Sequence, residues 1–597
     1  MSNPSNEYSV RLERFARAVG ALHRQRLLVG NTKIAVLAAG LVLAWFSLAK
    51  GGVSLYWLAF PACAYVALAV VHEHILRART RDETAAEFYR KGLARIEDRW
   101  AGNGESGDRF RGEAHVYAED LDLFGRGGLF ELLSTARLPM GENQLANWLR
   151  FPSSREAILE RQSLVRELRD KLDLREDLAV TGEDLRTRLN PESLVGWAQG
   201  QRVLPKSLWQ FVAAILALGT AAAIVYYFAG GTYRIALILL AVDAVFLRSL
   251  KKRAQAVVHG ISCNAEGLLL FSQILQRLER EPFPSPRLQA FSAELSAVGR
   301  RASRAIRKLA RIVYWIDAEH SLLAHLAEFP LLYSIQVAFA AEAWRARFGH
   351  SMRRWVEITG EVEALLSLAG YSFEHPADPF PEFVNAENPA VTLHAEQLGH
   401  PLIPTARCVR NSVRLDDDTR VLLVSGSNMS GKSTLLRAVG INAVLAMAGA
   451  PVRAKSLRLT PLAIGTRIRS TDSLQEGRSG FYTEILHIRE VFHLAEGTKL
   501  PLLFLFDELL EGTNSKDRRI GAEGLLRALL GRGAIGIVTT HDLALTEIGQ
   551  SLGERLRNMH FQDYVENGKM RFDYTLRDGV VAKSNALELM RLIGLQV

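Results

Sequence analysis

The stretch Val421-Leu422-Leu423-Val424 leading into Gly426-Ser427-Asn428-Met429-Ser430-Gly431-Lys432-Ser433-Thr434 constrains this chain more than any other. It is GxxxxGK[ST] behind a short apolar strand and ahead of helix-forming sequence, the context in which that spacing cradles phosphate. Glycines let backbone N–H groups close around an anion, Lys432 reaches the β and γ phosphates, and the Ser433 hydroxyl is a ligand for Mg²⁺. Further on, Leu502-Leu503-Phe504-Leu505-Phe506-Asp507-Glu508 reads as a buried strand ending in two carboxylates, a Walker B segment. Asp507 is expected to hold Mg²⁺ through water and Glu508 to polarise an attacking water. A third apolar run, Ile535 to Val538, ends in Thr539-Thr540-His541-Asp542 and puts His541 where a γ-phosphate can be sensed. Three strand ends converging on one edge predict an α/β, doubly wound P-loop domain with its ligand, ATP with Mg²⁺, at the carboxyl ends of the strands.

The first half of the chain has a different character. Six cationic residues, from Arg11 to Lys33, precede the apolar runs Ile34 to Leu48 and Val53 to Val71, which are separated only by a short break containing Lys50, Gly51 and Gly52. A second pair, Leu208 to Ala229 and Ile235 to Leu247, is joined by Gly230 to Arg234. Spanning a bilayer takes about 20 apolar residues, so the second and third runs are long enough while the first and fourth are short. The fourth also carries Asp243, whose charge at mid-bilayer costs on the order of 3 kcal/mol. Arg77, Arg79 and Arg81 follow the first pair, and Arg248, Lys251, Lys252 and Arg253 follow the second. The distribution of positive charge predicts two hairpins that both return to the cytoplasm, hence a multi-pass inner or cytoplasmic membrane protein whose soluble parts face the cytoplasm. A buried helical pair in a soluble domain is the rival reading of the second hairpin.

Composition agrees with this division. The 597 residues are 48% hydrophobic and 23% charged with 19 prolines, which excludes a disordered, collagen-like or mucin-like chain. Mean hydropathy is +0.04, high for a wholly soluble enzyme. Lys plus Arg exceed Asp plus Glu by 73 to 64, a balance suited to nucleic acid or anionic lipid. Cys63, Cys263 and Cys408 are far apart and form no CxxC pair, which argues against a disulfide framework or a zinc site. Residues 255–370 have few turn signals and read as long helices. Within them Ala302, Ile306, Leu309, Val313 and Ile316 recur at helical spacing, opposite a cationic stripe of Arg300, Arg304, Arg307 and Arg311. That face is either a binding surface for DNA or lipid phosphate, or simply a solvated one.

Taken together, these motifs resemble the MutS family of DNA mismatch repair ATPases. The P-loop is similar to the family's GPNMGGKST, with Asn428 and Met429 in its two distinctive positions. Arg467-Ile468 with Asp472 through Phe481 resembles the segment ending GRSTF, and Gly512-Thr513-Asn514 resembles the GTS segment. Gly399-His400-Pro401 and Val409-Arg410-Asn411 resemble RHPVV and FVPND. Upstream, Leu129-Phe130-Glu131-Leu132-Leu133, Pro139-Met140-Gly141 and Leu145 with Trp148-Leu149 resemble the start of the MutS helical core, and Lys583-Ser584-Asn585-Ala586 the closing helix. The resemblance implies a homodimer through the ATPase domain, with Ser479 acting in trans on the partner's nucleotide.

The departures bear on function. No Phe-x-Glu wedge is assignable in the basic, membrane-like sequence ahead of the core, which leaves mismatch readout without its usual residues. Cys408 stands where the family has an aromatic beside adenine, and Glu511 replaces the Arg of GRGTS. With the chain ending at Val597, no long oligomerisation extension or added nuclease domain is expected. The expected organisation is a basic N-terminus and hairpin over 1–82, helical core over 83–200, a second hairpin over 201–253, a helical lever or clamp over 254–375 and the ATPase domain over 376–597. The expected function is a membrane-anchored, dimeric, ATP-driven DNA clamp related to mismatch repair and damage sensing. Its rival is a membrane-bound ATPase scaffold or remodeller acting on protein or lipid without DNA. An ABC-type transporter fits poorly, since two short hairpins make a poor pathway and the segment at Ser479 is not LSGGQ. The sequence identifies no protein partner.

Overall fold

The computed structural model describes residues 3–50, 54–112, 115–205, 208–260, 263–296, 301–317, 328, 330–384, 391–427, 429–468, 480–566 and 569–581. Asn428, Arg300, the 469–479 segment with Ser479, and Lys583 to Ala586 therefore lie outside the described residues. The chain divides into two units interleaved in sequence: residues 1–96, 137–139 and 172–359 form one, and residues 97–136, 140–171 and 360–597 the other.

The first unit is helical. Its N-terminal hairpin pairs Pro4–Lys50 with Ala59–Ile96, and at 1.5 Å per residue the first of these is about 70 Å long. Near the charged end, Arg11 donates to Asp173 Oδ1 (2.5 Å) and Tyr89 donates to Glu176 Oε2 (2.5 Å), tying the hairpin to the Leu172–Leu185 helix. Among the described residues, three helices are long and apolar enough to cross a membrane: those ending at Leu48, starting at Tyr56 and covering Leu208–Phe228. The apolar windows of the first two are wholly unburied. Among the described residues the fourth run, on Tyr233–His259, is not one of them. Leu208–Phe228 buries its small residues Ala213, Ala217, Thr220 and Ala223, and the Thr220 hydroxyl donates to Asp243 Oδ2 at 2.6 Å. Asp243 is thus fully buried with a partner on the facing helix, which offsets part of the desolvation cost expected for it.

The Ala302–Asp317 helix buries Ala302, Ile306, Leu309 and Val313 as its spacing predicts, while Ile316 is only half-buried. It packs on Ala265–Arg280. Ser303 links the two, donating through its N–H and hydroxyl to the Glu279 carboxylate at 2.9 and 2.7 Å.

The second unit holds two sheets. The smaller, of order β1-β5-β2-β3, comprises β1 (Glu382–Phe383), β2 (Leu393–Leu398), β3 (Asn411–Leu415) and β5 (Ser456–Leu459). The larger comprises β4 (Val421–Ser425), β6 (Ala463–Arg467), β7 (Leu502–Phe506), β8 (Ile535–Thr540), β9 (Leu556–Glu566) and β10 (Lys569–Asp578), ordered β10-β9-β4-β8-β7-β6. Its strands pair in parallel from β9 to β6, with β10 antiparallel at the edge. Strands β4, β7 and β8 are buried at every position, which is why they read as unbroken apolar runs rather than alternating ones. Gly536 has no side chain because a Cβ there meets the Phe504 ring and carbonyl at 2.4 Å.

The upstream core motif joins this unit. Glu131, itself buried, accepts N–H bonds from Gly102, Gly104 and Gly127 at 2.6 to 2.9 Å. Asp120 accepts from the Thr466 hydroxyl and the Ile468 N–H, both at 2.8 Å, and Leu121 fills the space above Gly440 on the helix that follows the P-loop. Residues 115–133 therefore brace the sheet that carries the nucleotide motifs.

Candidate nucleotide site

The P-loop leaves β4 and enters the Lys432–Ala448 helix, with Gly431 capping its N-terminus at φ 101. A side chain there is strained, and its Cβ would also meet the Tyr574 ring at 3.1 Å. Lys432 is buried, and its ammonium donates to the carbonyls of Gly426 (2.7 Å) and Ser427 (3.0 Å). It also pairs with Glu508 Oε1 at 3.0 Å. The other carboxylate oxygen of Glu508 accepts from the His541 backbone N–H (3.2 Å) and meets His541 Nδ1 at 2.7 Å. The three residues expected to act on the terminal phosphate thus form one chain, Lys432–Glu508–His541, across the ends of β4, β7 and β8.

Asp507 lies beside this chain. Its carboxylate accepts from the Thr539 hydroxyl and has the Ser433 hydroxyl close by, and Thr539 in turn receives the Glu508 N–H at 3.1 Å. Burial raises Asp507 above the usual carboxylate range against the pull of those hydroxyls. Burial also opposes ionisation of Glu508, but the Lys432 ammonium and His541 outweigh it and hold that carboxyl below its ordinary value. Neighbouring carboxylates thus have environments that push them apart, as acid–base sites arrange. Glu508 (φ 50) and Leu510 (φ 56) both take left-handed backbone conformations, at about 1 to 3 kcal/mol each.

A cavity of about 380 Å³ opens beside Lys432, Ser433 and Thr434. Its lining also includes Ile403, Cys408, Val409 and Tyr574. Sequence reasoning missed Tyr574. It sits on β10 at φ 55, its carbonyl accepting from Asn411 Nδ2 (2.9 Å) while Asn411 Oδ1 accepts from the Leu576 N–H (2.8 Å). The same cavity wall thus holds Cys408 and an aromatic ring from a strand far along the chain, and only the Phe572-x-Tyr574 alternation hinted at it.

His400 borders the same cavity. Burial, with Arg437 nearby, pushes it down to about 4, and its Nδ1 accepts the Leu402 N–H at 3.2 Å. Folded, it binds fewer protons than an unfolded histidine between that value and about 6.5, so stability rises with pH across this window. The contribution is complete above about 6.5 and is lost on acidification towards 4, on the order of 3 kcal/mol in all. Unfolding measured at pH 7.5 and 4.5 is expected to show a steeper acid loss for the wild type than for His400→Gln; equal losses would refute the assignment.

The expected phosphate stripe is only partly free. Arg304, Lys308 and Arg311 are exposed, whereas Arg307 is half-buried and donates to Gln276 Oε1 at 2.9 Å. Tyr314 and Trp315 are exposed at the end of the same helix.

A buried parallel sheet with a glycine-capped phosphate loop and an Asp-Glu pair on the next-but-one strand defines a P-loop nucleotide-binding domain. Residues 422–596 match the profile of MutS domain V. The chain is similar, over this region and beyond it, to proteins of the MutS family. It is 38% identical over 204 residues to an Endonuclease MutS2 of Thermus thermophilus, covering 33% of this chain and 25% of that protein. It is 32% identical over 217 residues to a DNA mismatch repair protein MutS of Lactobacillus delbrueckii subsp. bulgaricus, covering 36% and 25%. A longer match, 26% identical over 517 residues, reaches a DNA mismatch repair protein MutS of Streptococcus sanguinis and covers 79% of this chain and 58% of that one. The matched stretch thus spans about a quarter of the first two relatives and just over half of the third.

Proposed function

We propose that this protein is a membrane-anchored, dimeric ATPase that binds DNA and uses ATP binding and hydrolysis to switch its helical part. The observation that carries the reading is the Lys432–Glu508–His541 chain beside Ser433 and Asp507. Lys432 donates to two P-loop carbonyls and pairs with Glu508. A triphosphate competes for that ammonium and frees the Glu508 carboxylate to orient water, with His541 still holding its other oxygen. Ser433 and Asp507 are a hydroxyl and a carboxylate suited to Mg²⁺. That ion, when bound, neutralises charge on the phosphates. Tyr574 with Ile403 and Val409 gives the base an aromatic face and apolar walls.

Membrane attachment is supported by the two N-terminal helices, whose apolar windows are unburied. The cationic residues flanking the apolar runs favour a cytoplasmic ATPase domain. DNA as ligand is supported by the mismatch repair proteins among the relatives and by the exposed cations of Ala302–Asp317. The dimer and the trans role of Ser479 rest on the family resemblance. A second reading, an ATPase scaffold acting on protein or lipid, is favoured by the exposed Tyr314 and Trp315 beside those cations, a combination that also suits lipid headgroups.

The test is binding of nanodisc-held protein to paired, mismatched and branched DNA with and without ATP, with Lys432→Ala as control. The DNA reading expects nucleotide-modulated binding that Lys432→Ala loses. Affinity no better than about 10⁻⁵ M, the non-specific range, refutes it in favour of the scaffold.

A further inference from the structure

Arg518 lies in the first turn of the Ser515–Gly531 helix. A cation there faces the positive end of the helix dipole, so the helix itself gains nothing from it. Its guanidinium is nearly buried, 11% exposed, and spends four of its five donors on two loops. Nε donates to the Leu510 carbonyl (3.0 Å), and Nη2 to the carbonyls of Glu511 (2.7 Å) and Thr513 (3.1 Å). Nη1 donates to Asp542 Oδ2 at 3.2 Å.

The first loop follows Glu508, and the second begins at His541. Leu510 is held from its other side too, since its N–H donates to the buried Glu484 at 2.8 Å. Asp542 uses its remaining oxygen to cap the next turn through the Ala544 N–H (3.0 Å). Arg518 is therefore a polar link between two loops that also meet through the Glu508–His541 contact, the Thr539 hydroxyl and the packing of Leu509 and Leu545 in one apolar cluster.

We propose that Arg518 is a positioning residue: it locks the turn after Glu508 to the loop of His541, so that the carboxylate and the imidazole keep their register when phosphate draws Lys432 away. The proposal rests on the ATPase reading for its kinetic consequence, and on geometry alone for the coupling. A planar fork with several fixed donors does this; an ammonium, one point charge on a flexible stem, cannot reach all four acceptors at once.

The test uses the full chain in nanodiscs, with Arg518→Gln, Arg518→Lys and Asp542→Asn. Two quantities are read: turnover against affinity for a fluorescent ATP analogue, and amide exchange of residues 508–514 and 541–547 with the P-loop as internal reference. In Arg518→Gln, kcat is expected to fall at least tenfold while nucleotide affinity stays within threefold. Exchange should rise in both loops together and stay unchanged at 429–434. Arg518→Lys should recover less than half of the lost turnover. Asp542→Asn should weaken the link and raise exchange on both sides. Turnover within twofold of the wild type in Arg518→Gln, or loops that loosen separately or not at all, overturns the proposal. If the wild type hydrolyses no ATP, the ATPase reading falls, yet the exchange result still decides whether Arg518 couples the loops. Should Arg518→Gln fail to fold, Arg518→Lys and Asp542→Asn carry the same comparison.

Discussion

Glu508→Gln is expected to bind ATP at least as tightly as the wild type and to turn it over a hundredfold or more slowly, within the 10²–10⁴ range of general-base catalysis. The substitution keeps the shape of the side chain and an oxygen for His541, but removes the base. It also removes the charge that holds Lys432 at 3.0 Å, so phosphate no longer competes with a carboxylate for the ammonium. Affinity and turnover should therefore move in opposite directions. Loss of Lys432 instead removes affinity and turnover together, and the contrast separates binding from chemistry. The pH profile adds a sign. Because Lys432 and His541 hold Glu508 below the ordinary carboxylate range in the free enzyme, the acid limb of kcat/KM should lie below about pH 4.3. Single-turnover hydrolysis with and without the substitution checks both points, and a loss smaller than tenfold would remove Glu508 from the role of base.

What was legible in the sequence is what chemistry makes obligatory. A phosphate loop needs its glycines, its lysine and its hydroxyl at fixed spacing, and a strand buried on both faces needs an apolar run. Lys432, Ser433, Asp507, Glu508 and His541 were thus readable by position, and the structure brings them to one sheet edge. Tyr574 was not readable, because its place depends on the β9–β10 pairing and on the Asn411 side chain that pins it. Nor was Arg518, which resembles any surface arginine until the carbonyls of a left-handed turn are seen around it. Asp243 read as a liability for a membrane helix, and the Thr220 hydroxyl that receives it lies on the other helix of the pair. The interleaving of the two units has no signal in composition, since residues 97–136 join the second unit through specific contacts distant in sequence, such as Asp120 with Thr466.

Reversing charge on the cationic helix, Arg304→Glu with Arg307→Glu and Arg311→Glu, is expected to weaken DNA binding at least a hundredfold and to leave basal ATP turnover within twofold. Arg304 and Arg311 lie on the solvent side of a helix whose other face is filled by Ile306, Leu309 and Val313, and half-buried Arg307 has a neutral partner in Gln276, so the fold does not depend on their charge. Across the helix pair, the Glu279 carboxylate is already occupied by Ser303. Three phosphate contacts give a salt slope near −2.7, or roughly a 40-fold loss of affinity between 50 and 200 mM salt, and the triple variant should lose that part of the slope. Arg307 is expected to contribute least, because its guanidinium is drawn towards Gln276. The exposed Tyr314 and Trp315 supply the control. On a lipid-facing helix their replacement by Ser should release the protein's soluble face from anionic vesicles and leave DNA affinity unchanged. On a DNA-facing helix the arginine changes alone govern binding. If the triple variant binds DNA like the wild type, the cations serve the membrane surface, and the scaffold reading gains what the DNA reading loses.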